Sequence, residues 1–227
     1  MIKIYPLGPT ELTWQEEYLG SNIFKGDYLE KLDESYDKFL NKYKMKKLEL
    51  GCGERPTPGY LHQDIVLLEN VKLDYCCKIT ELPETLDETI DEVIAAGVME
   101  HIRRDEFIES LNRIYDILKP GGCFIFDVPD MKVWFQYIVD YYNGLETHFP
   151  YFHIMNTIYG WQRWEGDEHK WGYVEEELKS IFLTQTEFRK FWIYKEEKYV
   201  GFKERGVIRN RFDRPEDGHL YIRLDKE

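Results

Sequence analysis

Cysteine is scarce in this chain of 227 residues: there are four, at positions 52, 76, 77 and 123, and no two have C-x-x-C spacing. That argues against a disulfide framework and gives no support to a thiolate zinc site or thioredoxin-type chemistry. Reduced thiols in a reducing compartment fit best. No apolar run reaches the ~18 residues that a membrane span requires. The opening stretch MIKIYPLGPTEL lacks the basic-then-apolar layout of a signal peptide, so the cytoplasm is the expected location. An excess of positive charge is missing too. Forty-three acids against 30 lysines and arginines give a net charge of -13 and a pI near 5.0. Binding to nucleic acid normally needs a basic footprint that neutralises phosphates. Basic residues cluster only locally (Lys44, Lys46, Lys47; Arg205, Arg209, Arg211, Arg214), with acids near each group. The balance counts against a nucleic-acid partner.

What is present is the make-up of a globular protein, with 43% apolar and 32% charged residues. Aromatics are heavy at 16% and crowd between Trp134 and Trp192, as a pocket or an interface would need. Short apolar runs alternate with helical periodicity. Strands are expected at 47–50, just before Asp64, at 71–76, 92–96, 123–128, 188–194 and 219–224. Amphipathic helices are expected over 27–43, 107–118, 133–142 and 175–182. The stretch 143–173 shows no clear period. Strands alternating with helices predict an α/β fold, a mostly parallel sheet with helices on both faces.

The most informative stretch is KLELGCGERPTPGYLHQD, from Lys47 to Asp64. A buried strand runs into Gly51-Cys52-Gly53, a Pro/Gly bend follows, and a second short strand ends at an acid. This is how an α/β sheet grips an adenosine-containing ligand at the carboxyl ends of its strands. Glycines let the backbone approach the ligand, and the acid can accept hydrogen bonds from ribose hydroxyls. A dinucleotide site would need a third glycine opening a helix whose N-terminus meets the pyrophosphate. That position is Pro56, and only seven residues separate Gly53 from the next strand, too few for the ~10–12 of a crossover. A ligand without phosphate loses nothing by this. The stretch therefore points away from NAD and toward S-adenosylmethionine, whose cationic groups would welcome Glu49.

Four motifs then stand in order: LELGCG, the acid of HQD, AAGVMEHI, and LKPGG followed by a strand and VPD. Together they resemble the class I, seven-stranded, Rossmann-like methyltransferases that use S-adenosyl-L-methionine. The likeness is greatest to the group with a Pro-containing bend and Gly-Tyr after GCG, and with a His-Lys pair beyond the fifth strand, here His169-Lys170. It covers about residues 46–180. The resemblance implies that Glu49, Gly51, Cys52 and Gly53 hold the methionine end, that Asp64 takes the ribose hydroxyls, and that Gly97 lines the cofactor. The acid expected before the Leu82-Pro83 pair is absent, which leaves Ile79 to pack on the adenine. It further implies an acceptor that is a small molecule or sugar-containing, methylated at oxygen, in surface-polysaccharide or secondary-metabolite tailoring.

A hydroxyl acceptor must lose a proton as it attacks, so a base is required. His169, Asp130 and His101 are the candidates, with Asp127, His148 and His153 behind them; His62 and His219, within strands, read as structural. Each candidate also has a plainer reading: Asp130 as a helix cap, His101 as a helix-start residue. Glu165, Asp167, Glu168 and His169 could chelate a metal but read as an acidic exposed loop, and no metal is expected. Residues 1–45 are expected to form an arm and helix on or over the cofactor site. Residues 46–227 are expected to form the catalytic domain, with 131–173 as its substrate segment. Oligomeric state is left open. Two rival functions remain at this level: methylation of nucleic acid or protein, and a non-catalytic partner subunit of the same fold. GVMEH, where base-methylating enzymes carry Asn/Asp-Pro-Pro-aromatic, counts against the first.

Overall fold

A computed structural model of the chain describes residues 45–67, 69–209 and 218–227. The helix expected over 27–43, and with it the N-terminal arm, lies outside them. Seven strands form one sheet: β1 (Lys47–Leu50), β2 (Leu61–Asp64), β3 (Tyr75–Cys76), β4 (Ile90–Ala96), β5 (Leu118–Pro129), β6 (Lys190–Tyr194) and β7 (His219–Asp225). Their order across the sheet is β3-β2-β1-β4-β5-β7-β6. β1 to β5 pair in parallel, and β7 is antiparallel to both of its neighbours. The helices are α1 (Arg104–Ile117), α2 (Met131–Tyr142), α3 (Tyr151–Tyr159) and α4 (Glu175–Gln185). The chain runs outward from β1 to β3 and then returns to start the other half at β4. The reversal between β1 and β4 is the topological switch point, where ligands bind outside the carboxyl ends of the strands.

The alternation of side chains builds a core on each face. Val93, Ala95, Phe124, Phe126, Ile222 and Leu224 point to one side, where Phe107, Leu111 and Ile114 of α1 and Leu178, Ile181 and Phe182 of α4 meet them. Ile94, Ala96, Ile125 and Tyr221 point to the other, and there the described cover is Tyr60, Val200, Phe202 and Val207. Each fully buried Val, Leu, Ile or Phe side chain among them contributes about 1.5–3 kcal/mol. Trp134, Phe149 and Ile154 form a third, smaller cluster where α2 packs on α3.

The sequence expectations for the regular elements hold to within a few residues, with three corrections. The strand expected over 71–76 enters the sheet only at Tyr75–Cys76. Before it, Asp74 binds His62 from both its backbone and its carboxylate, which ends the pairing. Pro120-Gly121-Gly122 do not separate helix from strand. They bulge within β5, opposite Asp91, between the pairs Ile90–Leu118 and Glu92–Cys123. The third correction is α3, which the stretch without clear period conceals: its buried side is only Ile154 and Thr157.

Candidate active site

At the end of β1 the chain turns on Gly51 and Gly53, both with positive φ (+55° and +58°). A Cβ at Gly51 would meet Val98 Cγ2 at 2.6 Å, so this glycine lets the turn close against the end of β4. At Gly53 a Cβ would meet nothing within 4 Å; that side of the turn is open. The last two residues of β2 brace the turn. Gly51 N donates to Gln63 Oε1 (3.2 Å), Cys52 N to Gln63 O (3.1 Å) and Gly53 N to Asp64 Oδ2 (3.0 Å). Gln63 is buried, and its Nε2 donates to Cys77 O at 2.6 Å, so one amide ties the ends of β1, β2 and β3 together. Asp64, half-buried beside the open side, keeps further lone pairs for a ligand.

Other expected cofactor residues are placed differently. Glu49 is buried, and its two oxygens accept from Thr57 N (2.6 Å) and Thr57 Oγ1 (2.7 Å). It pins the Pro/Gly bend and lies beneath the turn as a fixed acid. Burial raises its carboxyl above the usual value against the hydrogen bonds from Thr57 and the charge of Arg209. Cys52 contributes backbone only; burial, with Asp64 and Glu49 nearby, pushes its thiol up to about 12. Ile79 is spent in the main core, so the adenine contact expected of it has no side chain to make it. Apolar surface at the end of β2 comes instead from Ile65, Val66 and Leu67, all exposed. Gly97 (φ +69°) turns the chain at the end of β4, and its N–H donates to Asp127 Oδ1 at 2.9 Å. Asp127 also faces His219 Nδ1 at 2.9 Å, and both are buried. That pair is structural.

Sequence reasoning missed Gln63 and Arg209, whereas Val98, expected beside Gly97 to line the cofactor, packs against Gly51. Arg209 Nη2 donates to Ala96 O (3.1 Å), and its charge is felt at Glu49 and Cys52. A positive charge thus stands over the switch point. A basic residue far along the sequence gave no signal of that position.

Of the three candidate bases, the structure brings two together. The rings of His101 and His169 meet edge-on with centroids 4.7 Å apart. His101 lies in a short 3-10 turn, Met99–His101, directly beyond β4. His169 is delivered by a zip of backbone bonds. Gly160 pairs with Glu168, His169 N donates to Tyr159 O (3.0 Å), and Lys170 N and Trp171 N both donate to Glu100 O (2.9 and 3.3 Å). The strip ends where Met131 N donates to Tyr173 O at 3.0 Å. It therefore crosses the ends of β4 and β5. Burial holds His169 below the usual imidazole range despite the nearby charge of Glu100, so the ring is neutral at pH 7. Glu100, for which the sequence gives no signal, joins the pair: one ligand-type atom from each of Glu100, His101 and His169 lies within 4.8 Å of the others.

Asp130 does not belong to this group. It is buried, caps α2 by accepting Lys132 N (3.2 Å), and pairs with Lys195 Nζ at 2.8 Å. Oδ1 serves the cap and Oδ2 the Lys195 charge, which accords with the cap reading. His153 stacks on Phe149 (4.8 Å) within the α2–α3 cluster, and His148 meets the same ring edge-on. Beyond the cluster an aromatic surface is exposed: Phe152, Tyr159, Trp161 and Trp164, with the Arg163 guanidinium 4.2 Å from the Trp164 ring.

The sheet order with its single reversed strand, and a glycine turn at the switch point answered by an acid on β2, define the class I methyltransferase architecture. The family model described as "Methyltransferase domain" matches residues 24–189, and the chain belongs to that family. No curated protein matches the sequence. Among solved structures, the chain is similar to a possible histamine N-methyltransferase, SAM-dependent, from Thermotoga maritima (16% identity, TM-score 0.50, covering 80% of this chain and 82% of that one). It is also similar to a SAM-dependent methyltransferase from Archaeoglobus fulgidus (15%, TM-score 0.49, 94% and 98%). A third is the 1,6-didemethyltoxoflavin-N1-methyltransferase of Burkholderia thailandensis (14%, TM-score 0.45, 99% and 93%). At such identities the likeness is one of fold.

Proposed function

We propose that the chain is an S-adenosylmethionine-dependent methyltransferase acting on a hydroxyl of a small or carbohydrate-like acceptor. The observation that carries the reading is the cradle at the switch point. Gly53 presents an open backbone face, Asp64 stands beside it with lone pairs to spare, and exposed Ile65–Leu67 offer an apolar surface for a base. These residues fit a ligand with a ribose, an adenine and no phosphate. Arg209, over Ala96, suits its carboxylate, and buried Glu49 suits its cationic end through the field rather than by contact. When bound, S-adenosylmethionine supplies a methyl carbon already activated for in-line displacement, the sulfur leaving as a neutral thioether.

The chain's own part is alignment and proton removal. Alignment of reacting groups is worth about 7–11 kcal/mol at best. The cluster of His101, His169 and Glu100, past β4, is where the proton of the attacking hydroxyl is accepted. The exposed rings of Phe152, Trp161 and Trp164 supply faces on which a sugar can stack, which favours a carbohydrate-like acceptor over a charged polymer. Residues 131–173 are thus the acceptor segment, and tailoring of a surface polysaccharide or secondary metabolite is the setting we assign to it.

The test is calorimetric titration of S-adenosylmethionine and S-adenosylhomocysteine into the wild type and Asp64→Ala. Micromolar binding that weakens 10–100-fold in the variant, about 1.4–2.8 kcal/mol, is expected. A folded wild type that binds neither compound would overturn the reading.

A further inference from the structure

Three of the buried polar atoms that lack a hydrogen-bond partner among the described residues are Glu100 Oε2, His169 Nδ1 and Tyr173 Oη. Two of them are neighbours: ligand-type atoms of Glu100 and His169 lie within 4.8 Å of each other. A buried polar atom left unpaired costs about 1–3 kcal/mol, and such groups in a native protein call for a water or an ion. Glu100 is only 3% exposed.

We propose that Glu100, His101 and His169 form a binding site for a divalent first-row transition-metal ion. Two imidazoles and one carboxylate make a borderline donor set that suits such ions, whereas magnesium and calcium prefer oxygen alone. The three donor atoms already lie within 4.8 Å of one another. Bonds of about 2.1 Å in a tetrahedral site set ligand atoms about 3.4 Å apart, a closure that small side-chain rotations supply. The outer support of a metal site is in place as well. His101 Nδ1 stands 3.2 Å from Glu168 O, which leaves Nε2 for the ion. On His169 the buried Nδ1, which has no partner among the described residues, is left for the ion. The His101 imidazole is thus oriented by a backbone carbonyl on its far side, the usual arrangement for a histidine ligand. Glu100 is itself fixed, since its own carbonyl accepts Lys170 N and Trp171 N.

The site deepens the methyltransferase reading given above, on which it rests, and gives the cluster a different part in it. An acceptor hydroxyl that ligates the ion releases its proton to water more readily and keeps the electron pair for attack on the methyl carbon. The two imidazoles then serve as ligands in place of proton acceptors.

The experiment uses the full chain, stripped with chelator and titrated calorimetrically with Zn²⁺, with Mg²⁺ as the oxygen-seeking control. Co²⁺ loading is followed by its visible absorption. One Zn²⁺ per chain at micromolar or tighter affinity is expected, with little response to Mg²⁺. Glu100→Gln and His169→Ala should each weaken Zn²⁺ at least 10-fold and abolish the Co²⁺ band. S-adenosylhomocysteine titrated into the same samples reports whether the fold and the cofactor cradle survive. Zn²⁺ binding that is absent, or equal in the wild type and a folded His101→Ala/His169→Ala variant, overturns the metal site. If S-adenosylhomocysteine still binds in that case, the methyltransferase reading stands without it. Metal binding without cofactor binding would separate the two in the opposite sense.

Discussion

Asp130 shows how one residue can carry two incompatible readings until its hydrogen bonds are known. An acid after Val-Pro at the end of the fifth strand suits a base, and an acid before Met131 suits a helix cap. The structure spends one oxygen on Lys132 N and the other on Lys195. Asn is as good a cap as Asp, whereas Ala costs about 0.5–2 kcal/mol. Asp130→Asn should therefore keep most of the methyl-transfer rate, and Asp130→Ala should lose about 1 kcal/mol of stability by denaturant melt. A rate that collapses in a stable Asp130→Asn would restore the catalytic reading. Such ambiguity marks the limit of legibility at this scale. Gly51, Gly53 and Gly97 were legible because positive φ demands glycine, and Asp64 because it is the acid that ends the next strand. His101 and His169 were legible as histidines outside strands, though not as a pair, because the 67 residues between them fold back to join them. Glu49 and Ile79 were misplaced because a motif says that a residue is near a ligand, not which way its side chain turns. Glu100 and Gln63 were silent: an acid beside a histidine and a glutamine in a strand look ordinary until their partners arrive from distant parts of the chain.

Among the elements, the strip from Gly160 to Tyr173 was the least legible and bears most on the site. It has little regular secondary structure of its own and is held by bonds to groups distant in sequence, so no period could announce it. α3 was hidden for a related reason: a nine-residue helix with two buried positions leaves too little amphipathic signal. The strip begins at a point where only glycine serves. Gly160 has φ +82° and ψ 159°, a region closed to other residues, and a Cβ there would lie 2.1 Å from Asp167 O. Gly166 also has positive φ (+94°), yet a Cβ there meets nothing within 4 Å. Gly166→Ala should show backbone strain alone, about 1–2 kcal/mol. Gly160→Ala adds a backbone collision and should unzip the strip. Hydrogen exchange is expected to show lost protection at His169, Lys170 and Trp171 while β1, β4 and β5 stay protected. S-adenosylhomocysteine binding, which depends on β1 and β2, should remain near normal. Equal exchange in the two variants would mean that the strip is anchored elsewhere.

For the whole molecule, the sheet was the legible part, because buried strands and glycine turns are written locally. What holds the segment 197–207 against the second face of the sheet is not local. Glu92, near the start of β4 and almost fully buried, accepts Arg205 Nη2 and Nε (2.7 and 2.9 Å), the Tyr60 hydroxyl and Lys47 Nζ (3.1 Å). Arg205 in turn donates to Val200 O and Gly201 O, so one carboxylate joins β1, β4, the Pro/Gly bend and the covering segment. Burial alone would raise Glu92, but Arg205, Tyr60 and Lys47 outweigh it and hold the carboxyl below its ordinary value of 4.5. An acid with a depressed folded pKa binds fewer protons folded than unfolded. Its contribution is complete above about pH 4.5 and is lost as pH falls through the lower folded value. Removing the charge leaves Arg205 buried without its partner, a loss on the order of 3 kcal/mol. Urea melts should therefore find Glu92→Gln less stable than wild type by about that amount at pH 7. The gap should narrow as pH falls below about 4.5 and through the lower folded value, as the wild-type carboxylate takes up its proton. A gap that stays constant across that range would mean the variant loses packing rather than charge, and that Arg205 is satisfied by the Val200 and Gly201 carbonyls alone.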